Sequence, residues 1–248
     1  MPDSGKGGAY TVLSKYYEYL NADEEYRKWA ESVVETVKKY SPSNIGADVA
    51  CGTGYFTRAL KRNGFDVTGY DISSDMLSEA VTLALKEGLK PDFLLGNLKN
   101  FKSLKKLGFV TVINDGFNYL KPEELKKAFK NMYSQLAHGG VLIFDISSEY
   151  KIKKVLSNNV FSVDEDDFTY VWFNEQFSGG VKMDITVFSK KGELYEKSEE
   201  THVQYIHTLE SVTEKLKEVG FSLEKTCGIN GEGLNETSER ICFVAIKR

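Results

Sequence analysis

The chain has 248 residues, 41% hydrophobic and 27% charged with 4 prolines, which excludes a disordered, collagen-like or low-complexity protein and suits one large α/β unit carrying an insertion. Its 32 basic and 36 acidic residues give a net charge of -4, so no global cationic field gathers nucleic acid or anionic lipid. Cys51, Cys227 and Cys242 are too few and too scattered for a disulfide framework or a cysteine metal site. No apolar run approaches the ~20 residues of a membrane span and the first thirty residues lack an apolar leader, so a cytoplasmic protein with no membrane partner is expected.

After a glycine-rich lead over residues 4–8, Leu13, Tyr16, Tyr17 and Leu20, then Tyr26, Trp29, Val33 and Val37, recur at helical spacing and predict two N-terminal helices. From Ile45 short apolar runs at 45–50, 66–70, 93–95, 109–114 and 141–146 alternate with helical segments. That rhythm predicts βαβ units and a parallel sheet with right-handed crossovers. From 168 to 207 the period becomes two, as in Val181, Met183, Ile185 and Val187, with turns at Ser178-Gly179-Gly180 and Lys190-Lys191-Gly192. An antiparallel insert of three or four strands is expected. Helical spacing returns with Val212, Leu216 and Val219, and strands at 221–226 and 241–246 close the chain. The implied organisation is a core of 1–149 with 208–248, interrupted by a β cap over 150–207.

Asp48-Val49-Ala50-Cys51-Gly52-Thr53-Gly54 lies where the first strand ends and a helix begins. Glycines there let backbone approach a ligand that a Cβ would block. Asp71 follows the second strand, 17 residues beyond Gly54, where an acid can accept from both hydroxyls of a ribose. A dinucleotide fingerprint requires a third glycine or alanine where Thr57 stands, and the Gly-Lys-Ser/Thr of a P-loop is missing. Asp48 would repel a phosphate but suits the ammonium or sulfonium of S-adenosylmethionine. Cys51 has no base near it in sequence and reads as a small contact residue rather than a nucleophile.

Asp48 to Gly54, with Gly69-Tyr70-Asp71-Ile72-Ser73 and Asp75-Met76-Leu77, resembles the first two motifs of class I S-adenosylmethionine-dependent methyltransferases. Tyr10 and Tyr17-Glu18 resemble that family's N-terminal tyrosine pattern, and His138-Gly139-Gly140-Val141 its turn into strand five. The β insert and the Leu216 to Phe221 segment are similar to a small-molecule subgroup that includes sugar N,N-dimethyltransferases. The resemblance implies a Rossmann-like α/β fold, a seven-stranded mostly parallel sheet with helices on both faces, plus the small antiparallel β insert after strand five. It implies that Gly52 and Gly54 admit the methionine portion, Asp71 holds the ribose, and Ile72 and Met76 flank adenine, with Asp48, Ala50 and Cys51 also among the cofactor-binding residues. Asn97-Leu98 would close the adenine edge, with Asn97 standing where the family carries an acid. Tyr10, Tyr17 and Tyr26 are lid candidates, and Asn114 completes the cofactor side.

Asn114 to Tyr119 ends the fourth strand beside the expected reaction centre, so Asp115 or Tyr119 could orient or deprotonate an acceptor. On the cap, Glu200, His202 and Gln204 alternate onto one face, with Tyr205 and His207 on the other. Such a polar face is solvated unless it meets substrate, in which case His202 is the proton acceptor candidate. The expected function is methyl transfer to a nitrogen or oxygen of a small-molecule acceptor by a monomer or homodimer, with no nucleic acid. Alternatives are an RNA or protein methyltransferase, a non-catalytic S-adenosylmethionine-binding protein, and a nicotinamide dehydrogenase, the last disfavoured by Thr57 and Asp48.

Overall fold

The computed structural model describes residues 13–21 and 23–248. Two helices, α1 (Ser14–Asn21) and α2 (Glu24–Tyr40), precede the alternating part. That part runs β1 (Ile45–Val49), α3 (Tyr55–Arg62), β2 (Asp66–Asp71), α4 (Ser74–Lys86), β3 (Asp92–Leu95), β4 (Leu107–Val112), α5 (Leu125–Gln135) and β5 (Leu136–Ser147). A π-helical turn (Lys151–Leu156) leads into β6 (Val160–Asp164), β7 (Phe168–Phe177), β8 (Gly180–Lys191) and β9 (Leu194–Tyr205), after which α6 (Leu209–Val219), β10 (Phe221–Cys227) and β11 (Arg240–Lys247) end the chain.

The larger sheet has seven strands in the order β10-β11-β5-β4-β1-β2-β3, parallel from β3 through β5 and antiparallel at β11 and β10. Because β1 lies between β2 and β4, the crossovers leave β1 in opposite directions, and the crevice at its carboxyl end is where such sheets bind ligands. Every residue of β4 is buried, as a strand covered on both faces requires. One core layer joins Phe117, Phe129, Phe144 and Phe243 beneath α5 and α6. The other packs Trp29, Val33 and Val37 of α2 and Phe56 and Leu60 of α3 against the opposite face. The β6-β7-β8-β9 sheet is the predicted insert, with four antiparallel strands.

The buried face of that cap is built by period two. Val181, Met183, Ile185 and Val187 of β8 turn inward, and so do Glu200, His202 and Gln204 of β9. The polar face expected to meet solvent is therefore covered. His207 also departs from its expected position: β9 ends at Tyr205, and His207 is buried with Nε2 3.1 Å from both the Phe117 and Leu120 carbonyl oxygens. Desolvation holds its pKa below the ordinary imidazole value. Phe129 touches Phe117 and Phe144 at ring separations of 5.0 and 5.5 Å. Phe129→Ala should cost about 3–5 kcal/mol in urea unfolding, because the rigid sheet cannot collapse onto the void.

Candidate active site

The loop after β1 turns sharply through Ala50, Gly52 and Gly54, with φ of 59°, 54° and 77°. A Cβ on Gly54 would sit 2.7 Å from the Phe93 ring, so this glycine serves packing under the loop. A Cβ on Gly52 would meet only Tyr17 Cε1 at 4.0 Å, so the loop is open on that side. Asp71 props the bend: its Oδ2 accepts from Gly52 N–H at 2.8 Å and its Oδ1 from Ser73 N–H at 2.9 Å. Each carboxylate oxygen keeps a further lone pair for an outside donor. Burial raises the Asp71 pKa, against those backbone bonds.

Beneath the loop, Asp48 is buried and accepts from the hydroxyls of Thr57 at 2.6 Å and Thr111 at 2.8 Å. It ties α3 and β4 to the end of β1. Thr57 thus has a use at the position where a dinucleotide fold needs glycine. Desolvation pushes the Asp48 carboxyl pKa up to about 6, although both hydroxyls pull it down. The helix that starts over the loop is clamped by Arg58, whose guanidinium donates to Thr53 O at 2.6 Å, Glu18 Oε1 at 2.6 Å and Glu87 Oε1 at 2.8 Å. Glu18 belongs to α1, so this buried cation docks α1 across the loop and sets Tyr17 over Gly52.

A cavity of about 340 Å³ opens at this point, within the range of small-ligand sites. Asp48, Ala50, Cys51, Gly52, Asp71 and Asn114 line it on the sheet side. Tyr17, Tyr26, Ile72, Met76, Asn97 and Leu98 line it elsewhere, whereas Gly54 lies behind the loop and Tyr10 falls outside the described residues. Ile72 is 76% exposed beside buried Met76 and Leu98, an apolar slot for a flat ring. Asn97 Oδ1 accepts from Lys99 N–H at 2.9 Å. Cys51 is held protonated by burial, with Asp48 and Asp71 acting in the same direction, which agrees with a contact role. Cradle, ribose-side acid and apolar slot together fit an adenosyl group.

The tip of β4 forms the far wall. Asn114 and Asp115 both adopt left-handed backbone, φ 70° and 56°, which costs about 1–3 kcal/mol at each non-glycine residue. Asp145 on β5 holds them there: its Oδ1 accepts from Asn114 N–H at 2.6 Å and its Oδ2 from Asp115 N–H at 3.0 Å. Arg240 on β11 donates to Asp145 Oδ2 at 2.6 Å and to Asn114 Oδ1 at 2.5 Å, and lies 5.1 Å over the Trp29 ring. Asn114 Nδ2 in turn donates to Tyr17 Oη at 2.7 Å. Burial opposes the Arg240 charge, but Asp115 and Asp145 outweigh burial and keep it fully protonated. Sequence reasoning missed Asp145 and Arg240, whose partners lie on other strands.

A second cavity of about 320 Å³ lies beyond that wall, between the sheet and the cap. Tyr17, Asn114 and Tyr119 line both cavities and so form the partition. Asp115 and His202 line the second cavity only. Asp115 Oδ2 accepts from Ser147 Oγ at 2.8 Å and stands 3.5 Å from Arg240 Nη2. His202 Nε2 faces Glu200 Oε2 at 3.1 Å, and Glu200 Oε1 accepts from the Leu13 N–H at 3.1 Å. The three residues singled out for acceptor chemistry are thus brought to one chamber.

Asp48 generates a pH prediction. Its folded pKa stands near 6 against an ordinary value of 3.8, so the native state binds the proton more tightly. Its contribution to stability is greatest at low pH and is lost as pH rises from about 4 to 6. In Asp48→Asn that loss is absent, so the variant's stability relative to the parent should rise by on the order of 3 kcal/mol between pH 4 and 7. Denaturant titrations at the two pH values check this. Asp145→Ala, which removes the nearest carboxylate from Arg240 and the acceptor of two backbone N–H groups, should cost about 3–5 kcal/mol in the same assay.

Residues 47–140 match the family model described as a methyltransferase domain. A provisionally named methyltransferase of Geobacillus sp. (strain WCH70) is 30% identical over 245 residues, covering 96% of this chain and 99% of that protein. The structure of an S-adenosylmethionine-dependent methyltransferase from Clostridium acetobutylicum ATCC 824 superposes with a TM-score of 0.85 at 31% identity, covering 94% of this chain and 96% of that one. The dTDP-3-amino-3,4,6-trideoxy-alpha-D-glucopyranose N,N-dimethyltransferase of Streptomyces venezuelae is 30% identical over 131 residues, about half of each chain (51% and 53%). With donor cradle, partition and full-length relatives in agreement, this chain belongs to the S-adenosylmethionine-dependent methyltransferases.

Proposed function

We propose that this methyltransferase acts on a nitrogen or oxygen of a small-molecule acceptor bound in the second chamber. The observation that carries the reading is the partition: two cavities of similar size meet at Tyr17, Asn114 and Tyr119, one with an adenosyl-shaped lining and one under the cap. The cap roofs one side of the second cavity, whose volume of about 320 Å³ suits a small molecule.

S-adenosylmethionine, when bound, supplies an activated methyl on a sulfonium. The residues that would hold it are Asp71 for the ribose hydroxyls, Ile72, Met76 and Leu98 for adenine, and the open side of Gly52 above Asp48 for the methionine end. Tyr17, fixed by Asn114 and by the Glu18–Arg58 latch, orders the boundary between donor and acceptor. Positioning then carries much of the rate, because the electrophile arrives activated. At the acceptor, Glu200 accepting from His202 Nε2–H would fix the tautomer and leave Nδ1 as the basic nitrogen for a proton released on transfer. The His202 and Tyr119 rings are 6.1 Å apart, edge to face, so one packing unit presents a base and a phenol to the chamber.

Calorimetric titration with S-adenosylhomocysteine should show one site per chain, and no binding at millimolar ligand would sink the donor assignment. Asp71→Ala should weaken that binding by about tenfold or more, two lone-pair contacts being lost. With an acceptor identified by transfer of labelled methyl from a metabolite panel, His202→Asn and Tyr119→Phe should each lower kcat by about 10²-fold, with donor affinity unchanged in His202→Asn, whose side chain lies outside the donor cavity. Unchanged turnover in both would remove the acceptor-side roles.

A further inference from the structure

The second chamber carries polar groups that neither the fold nor the donor site uses. Gln204 is only 5% exposed, lines this chamber, and its Oε1 has no hydrogen-bond partner among the described residues. Trp172 lines the same chamber, and its indole Nε1–H is buried and equally unsatisfied. Leaving such a group unpaired costs about 1–3 kcal/mol, and apolar side chains would fill both positions without that cost. One orphan is an acceptor and the other a donor, so a molecule satisfying both must offer a donor and an acceptor of its own.

Lys151 adds a charge. It opens the π-helical turn after β5, in which Ser157 N–H reaches back to Ile152 O. Five-residue spacing brings Lys151 and Leu156 to one chamber wall, which an ordinary α-turn would splay apart. The charges acting on its ammonium are those of Arg240, Asp115, Glu239 and Asp145. Arg240 already has Asp145 at 2.6 Å and Asp115 at 3.5 Å, whereas no described carboxylate lies within ion-pair distance of Lys151. Burial and the Arg240 charge both disfavour its protonated form, with the acids opposing them. An anion delivered by a ligand would reverse that balance.

We propose that the acceptor carries a carboxylate or phosphate held by the Lys151 ammonium, together with a hydroxyl or amine that donates to Gln204 Oε1 and a polar atom that accepts from Trp172 Nε1. The acceptor class is thus a small hydroxylated or aminated acid. The proposal rests on the assignment of the second chamber to the acceptor. Leu13, Tyr170, Met183 and Ile185 complete the wall with apolar surface, so one end of the molecule is bare of charge.

The full chain, saturated with S-adenosylhomocysteine, is titrated calorimetrically with matched probes: glucosamine 6-phosphate against glucosamine, and glucuronate against glucose. At least one anionic member should bind about tenfold or more tightly than its neutral partner, the loss expected for one charge-assisted bond. The pair that shows it assigns phosphate or carboxylate. Lys151→Gln should bring the anionic probe down to the neutral level while Lys151→Arg keeps most of the difference. Gln204→Leu and Trp172→Phe should weaken both members of the pair by about three- to tenfold. A melting temperature no lower than the parent's and an unchanged S-adenosylhomocysteine affinity establish that each variant is folded. Equal binding within both pairs, no probe binding up to about 20 mM, or a Lys151→Gln protein indistinguishable from the parent overturns the proposal. If the parent binds S-adenosylhomocysteine and the probes fail, only the acceptor class falls. If S-adenosylhomocysteine itself does not bind, the donor reading falls with it.

Discussion

A single buried carboxylate, that of Asp145, decides whether the two chambers meet correctly. The β4 tip must reverse direction within two residues so that Asn114 borders both cavities and Asp115 only the second, and neither residue is a glycine. Left-handed backbone at both is sustained because Asp145 captures both N–H groups. An isolated carboxylate in this place would be expensive, and Arg240 neutralises it from the neighbouring strand while gripping the Asn114 amide. The antiparallel pairing of β11 with β5, Cys242 opposite Asp145 and Arg240 opposite Ser147, brings the guanidinium into reach. The terminal strand is thus part of the site, not only the edge of a sheet.

The donor side depends on a comparable device with no cation. Asp48 sits under the loop with the Thr57 and Thr111 hydroxyls and the Thr57 backbone as partners, none of them a cation, so its charge is only partly compensated. A positively charged ligand above the loop would stabilise the ionised form, and the cost of the buried charge would be relieved on binding. The latch from Glu18 to Arg58 works in the same direction. It spends a buried guanidinium on holding α1, and α1 is the element that brings Tyr17 to the partition. Cradle, floor and lid are therefore mechanically joined through α3, whose first turn carries both Thr57 and Arg58.

Much of this was legible in the sequence, for a physical reason. The parallel sheet announces itself because buried strands must be continuously apolar, and the donor loop because left-handed backbone and close approach demand glycine at Gly52 and Gly54. Asp71 was readable from spacing, since one crossover fixes the distance from the loop to the next strand tip. What stayed hidden was whatever depends on pairing between remote strands. Asp145 looks like the last polar residue of a strand and Arg240 like an ordinary surface arginine until β11 is laid against β5. Glu200, His202 and Gln204 alternate as a solvated edge would, and only the closure of the cap over α1 turns that face inward. His207 was misplaced because strand periodicity was extended past Tyr205, where the chain had already left the sheet. Lys151 gave no signal, as its exposure to the chamber follows from a π-turn that no local propensity marks.

The distribution of satisfied and unsatisfied groups separates the two chambers in kind. Around the donor, the carboxylates and amides are already engaged: Asp71 with the loop backbone, Asp48 with hydroxyls, Asn97 with Lys99, Asn114 with Arg240 and Tyr17. Such a site is organised before ligand arrives, and reorganisation adds little to the barrier. In the second chamber, Gln204 and Trp172 hold polar atoms without a hydrogen-bond partner and Lys151 has no described carboxylate at ion-pair distance. A chamber left in that condition is stabilised by the right molecule more than by an apolar one of equal size, because only the former repairs the orphaned groups. The unsatisfied groups thus belong to the cap and the π-turn, and the satisfied ones to the seven-stranded core and the elements docked on it.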